Sequence, residues 1–79
     1  MATQEATALA LLLRRAQSWQ EAGKMHQAMD MYFKLVENFP DTDEASKAGE
    51  RLLGLAQELE EKGKVYMAMG IHDRLASLS

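Results

Sequence analysis

The chain nearly repeats itself: "EAGKMHQAMDMY" at residues 21–32 returns forty residues later as "EKGKVYMAMGIH" at residues 61–72. Extended, the alignment sets Ala16 to Leu35, "AQSWQEAGKMHQAMDMYFKL", against Ala56 to Leu75, "AQELEEKGKVYMAMGIHDRL". Identities fall at Ala16/Ala56, Gln17/Gln57, Glu21/Glu61, Gly23/Gly63, Lys24/Lys64, Ala28/Ala68, Met29/Met69 and Leu35/Leu75. Trp19/Leu59, Met25/Val65 and Met31/Ile71 exchange one apolar side chain for another. A unit this short cannot bury its own apolar face, so the second copy is expected to stack on the first.

The punctuation shows what the unit is. Gly23 and Gly63 each end a helical pattern and are followed at once by Lys and a new apolar stripe. Glycine in left-handed backbone closes one helix there without a Cβ clash, so both positions are read as tight interhelical turns. Between them, "FPDTDE" at residues 39–44 gives a longer break. Pro40 cannot continue a helix, and Asp41, Thr42 or Asp43 can cap the next one.

Four helices are therefore predicted, over about residues 4–22, 24–39, 43–62 and 64–78. The first carries Leu9, Leu12, Leu13, Ala16 and Trp19 at spacings of three and four; the third repeats the device with Ala45, Ala48, Leu52, Leu55, Ala56 and Leu59. Met25, Ala28, Met29, Tyr32, Leu35, Val36 and Phe39 stripe the second, in register with Val65, Ala68, Met69, His72, Leu75 and Ala76 on the fourth. The expected fold is all-α, two antiparallel helical hairpins stacked in a single domain over residues 1–79. The first copy spans about 4–40 and the second about 43–78.

Composition narrows the function. Seventy-nine residues allow one compact domain. The net charge is −3, and nine Lys and Arg are scattered among twelve Asp and Glu, so no basic stripe is present to follow phosphates. Nucleic acid and membrane are not expected partners. The apolar run from Ala8 to Leu13 is too short for a membrane helix, and with Glu5 before it and Arg14 and Arg15 after it the charge order is the reverse of a secretory signal. The absence of cysteine fits a reducing compartment, and a cytoplasmic location is expected.

Chemistry-bearing patterns are sparse. Gly23-Lys24 and Gly63-Lys64 lack the upstream glycine and the following Ser or Thr of a phosphate-binding loop. His26 and His72 have no partners at metal-ligand spacing, and Ser18, Ser46, Ser77 and Ser79 show no nucleophile–base pattern. Glu58, Glu60 and Glu61 read as a solvated helix face. The expectation is a protein that is not an enzyme and has no catalytic residues, no metal and no cofactor.

Trp19, Gly23-Lys24, Ala28, Tyr32, Leu35 and Pro40 stand at the intervals of the tetratricopeptide-repeat signature, which the chain resembles from about Leu9 to Asp41. The second copy has His72 where the family has an aromatic, and lacks the closing proline. Gly23 to Gly63 is forty residues, against a family period of 34. The resemblance implies a short right-handed solenoid and a protein-interaction module. It also implies that the first and third helices line a concave groove for a peptide or partner protein, with Leu13, Gln17 and Gln20 facing Leu53, Gln57 and Glu60. Some members of that family hold a terminal carboxylate with Lys and Asn in the groove; neither stands at those places here.

Six methionines raise a second possibility. Met25, Met29 and Met69 are assigned to the core, whereas helical angles put Met31 and Ile71 on one flank of the main stripe, Phe33 on the other and Met67 farther round. Met31, Phe33, Met67 and Ile71 are thus candidates for a surface buried by another copy. The alternative function is a structural subunit that homo-oligomerises through the flank of the second and fourth helices.

Overall fold

A computed structural model describes the backbone of residues 2–78 and the side chains of residues 7–78. Four helices follow one another: α1 (Ala2–Glu21), α2 (Met25–Asn38), α3 (Asp43–Glu61) and α4 (Val65–Ala76). Among the described residues there is no strand, and no helix is long and apolar enough to cross a membrane.

Both hairpin turns close in the same way. Gly23 and Gly63 stand at φ 80°. The Gly23 amide donates to the carbonyl of Gln20 at 3.0 Å and the Lys24 amide to that of Trp19 at 2.8 Å; Gly63 donates to Glu60 at 3.0 Å and Lys64 to Leu59 at 2.7 Å. This paired closure ties down the last carbonyls of a helix and needs one left-handed residue, which costs glycine nothing and other residues about 1–2 kcal/mol. The next helix starts at once, so each pair runs antiparallel.

The longer juncture is capped by Thr42. Its hydroxyl donates to the Phe39 carbonyl at 2.8 Å and accepts the Ala45 amide at 3.1 Å. Asp43 and Glu44 occupy the first turn of α3, where negative charge meets the positive end of the helix dipole.

Packing joins α1 to α2 and α3 to α4, and then the hairpins to each other, chiefly α2 on α3 with a lighter α1–α3 contact. Ala28 and Ala68 are 0% and 1% exposed, as expected of small residues that let two helix axes come close. Tyr32, Leu35, Leu52, Leu55 and Ile71 are the largest fully buried side chains. The molecule measures 44 × 30 × 14 Å. Its thinnest dimension is one interaxial spacing of about 8–10 Å plus two Cα radii of about 2.3 Å, so it is only two helices deep. Every helix therefore keeps a side toward solvent.

The flank proposed for oligomerisation is closed within the chain. Phe33 and Ile71 are 2% and 1% exposed, and Met31 and Met67 are half-buried against the same core. Arg74 of α4 spans to α2, donating to the two carboxylate oxygens of Glu37 at 2.7 and 3.0 Å, with its guanidinium 4.1 Å from the centre of the Phe33 ring. Helical angles show only that a side chain points away from its own stripe. They do not show that the other hairpin stands there to cover it.

Candidate functional site

The forty-residue offset allows each position to be compared with its counterpart. Packing inside a hairpin is shared by the two copies, so a residue covered in one and bare in the other owes its cover to the neighbouring hairpin. Leu13 is 7% exposed and its counterpart Leu53 is 50% exposed. Met25 and Met29 are half-buried, while Val65 and Met69 are each 50% exposed. Tyr32 and Phe33 are buried; His72 and Asp73 are exposed. The second hairpin packs on the first chiefly through α3 against α2, where a β-carbon placed on Gly49 would stand 3.9 Å from Cγ1 of Val36, while Arg74 of α4 overlies Phe33. The counterpart of Val36 is Ala76, which is exposed.

The same comparison run the other way marks the opposite end. Ala48, Leu52, Leu55 and Leu59 of α3 are all buried, whereas their counterparts on α1 are exposed Ala8, half-buried Leu12, exposed Arg15 and half-buried Trp19. An open concavity of about 790 Å³ runs along this face. Leu11, on its edge, is 57% exposed, and the Arg15 guanidinium stands 5.9 Å from the Trp19 ring.

A polar pair recurs at the same offset. The Tyr32 hydroxyl donates to Oε1 of Gln20 at 2.6 Å, and Nε2 of His72 lies 3.3 Å from Oε1 of Glu60. Burial pushes the Tyr32 phenol above its ordinary pKa, opposed by the positive charge of Arg51 and helped by Glu21. The His72–Glu60 pair is open to water, its side chains 49% and 52% exposed.

These observations revise the residue assignments. Of the predicted groove, Leu13 is buried, because the second hairpin packs over it, and cannot line an open surface. Gln17 and Gln20 are half-buried, with Gln20 engaged by Tyr32, while Leu53, Gln57 and Glu60 are exposed. Met69, assigned to the core from its stripe, and His72, placed in that stripe as an aromatic substitute, both face solvent. A stripe becomes core only where a second element lies against it. Val65 and Leu11 were missed as surface residues, although the repeat alignment carries the signal: the last copy has no successor within the chain and the first has no predecessor.

What the arrangement offers is an apolar ledge of Leu53, Val65 and Met69 at one end, edged by the His72–Glu60 pair, and a cation-bearing apolar face on α1 at the other. A scan against protein-family models and searches of curated proteins and of solved structures find no match to this chain.

Proposed function

We propose that this chain is a non-enzymatic protein-docking module built as two tetratricopeptide-like repeats in a short right-handed solenoid. Its working surface is the uncovered face of the second hairpin, where Leu53, Gln57 and Glu60 of α3 adjoin Val65, Met69 and His72 of α4. One observation carries the reading: Leu53, Val65 and Met69 are each 50% exposed, whereas their counterparts in the first hairpin are buried Leu13 and half-buried Met25 and Met29. The uncovered face of the second hairpin carries apolar side chains at the positions that correspond to those packed beside α3 on the first hairpin, which suits it to receive a helix from a partner. The cytoplasm, whose reducing conditions suit a chain without cysteine, is the proposed compartment.

Leu53, Gln57 and Glu60, expected on the α3 side of a groove with α1, belong to this surface. The test is capture of protein partners from host extract by the immobilised chain. Leu53→Glu and Met69→Glu should each abolish specific capture while helicity by circular dichroism is retained. His26→Glu, on an exposed position whose counterpart Tyr66 is also exposed, should leave capture unchanged. Equal capture by all four proteins would place the working surface elsewhere.

A further inference from the structure

The two bare ends are the two halves of one interface. Inside the chain, the end face of the first hairpin meets the outer face of α3. The end face of the second hairpin keeps the first half of that contact, and the outer face of α1 keeps the second. We infer that the partner of the ledge is a second copy of this chain, docked head to tail so that α1 of one copy occupies on hairpin two the place α3 occupies on hairpin one. The inference deepens the docking reading and rests on it.

The carboxylate moves but a charge pair is kept. Within the chain, Arg74 lies over Phe33 and pairs with Glu37; at the forty-residue offset these positions are Lys34, Asp73 and Ser77, so Asp73 supplies the acid that Ser77 lacks. A cation stacked on a ring inside the molecule thus becomes a cation facing a carboxylate between molecules. Arg51 lies close enough to Tyr32 for its charge to act on the phenol, and the corresponding pair is Leu11 with His72. The 57% exposed Leu11 would then be covered by an imidazole already held at 3.3 Å from Glu60. The inserting face carries Arg15 where α3 carries buried Leu55, and the receiving face carries Glu60 where the first hairpin carries Gln20. The acidic groups at the receiving end and the cations at the inserting end attract, whereas two like ends brought together would repel.

Because the two surfaces differ, the contact is heterologous. Each copy that docks presents a fresh ledge, so association continues unless it closes into a ring.

Sedimentation of the full chain across low to high micromolar concentration tests this. The weight-average mass should rise past that of a dimer as concentration increases. Met69→Glu and Leu11→Glu, both on half-exposed or more exposed positions, should each fold and weaken self-association at least tenfold. Mixed together they should form a one-to-one pair and stop there, since one retains the inserting face and the other the ledge. A wild-type chain that stays monomeric overturns the inference, as does a variant that dimerises by itself while the mixture gains nothing, which indicates like faces meeting. A monomeric wild type whose partner capture is still abolished by Met69→Glu would remove the second copy as partner and leave the docking ledge in place. Loss of neither property would remove both.

Discussion

Leu13 and Leu53 offer a controlled comparison, the same side chain at the same place in two copies of one unit. At 7% exposure, Leu13 loses nearly a full leucine's burial when truncated to alanine and leaves a cavity between hairpins, which costs about 2–4 kcal/mol. At 50% exposure, Leu53 gives up at most half of that transfer energy and leaves no cavity, about 1 kcal/mol or less. A difference of about 2 kcal/mol corresponds to about 8–16 °C in melting temperature for a domain of this size. A core this small rarely supplies more than about 3–5 kcal/mol, so both variants and the wild type should be melted in the same concentration of a stabilising osmolyte. The assay is far-ultraviolet circular dichroism at the lowest workable concentration, where any association through the ledge is diluted away. Equal losses at the two positions would refute the argument that the second hairpin covers the first and that nothing within the chain covers the second.

Two further outcomes follow from the packing. Ala28→Leu and Ala68→Leu should each destabilise by about 1–3 kcal/mol in urea unfolding, because added methylenes have no room at helix crossings that are 0% and 1% exposed; tolerance at both would mean the crossings are not tight. The hydrogen bonds from Arg74 hold the Glu37 carboxyl below its ordinary pKa of 4.5, so the pair contributes stability above that pH and loses it as pH falls through the lowered value. Glu37→Gln should therefore cost about 0.2–1 kcal/mol at about pH 7 and progressively less as the pH is taken down through the lowered value, in matched denaturant titrations; a cost independent of pH would assign the effect to packing on Phe33 instead.

The sequence by itself determined the elements and their order. Gly23, Gly63, Pro40 and Thr42 act through local backbone chemistry, so the turns and the cap fall where those residues stand, and each helix begins and ends within about two residues of its predicted bounds. The shared small residue at Ala28 and Ala68 was also legible, because both hairpins need it for the same internal contact. Which stripe residues become core was decided only by the tertiary structure. Met29 and Met69 stand at the same register of the repeat, yet one is half-buried and the other 50% exposed, and Phe33 and Ile71 on the flanks are buried. Helical periodicity fixes the direction of a side chain relative to its own axis. Burial depends on whether another helix arrives from that direction, and in a repeat of two units each outer face has no such neighbour within the chain.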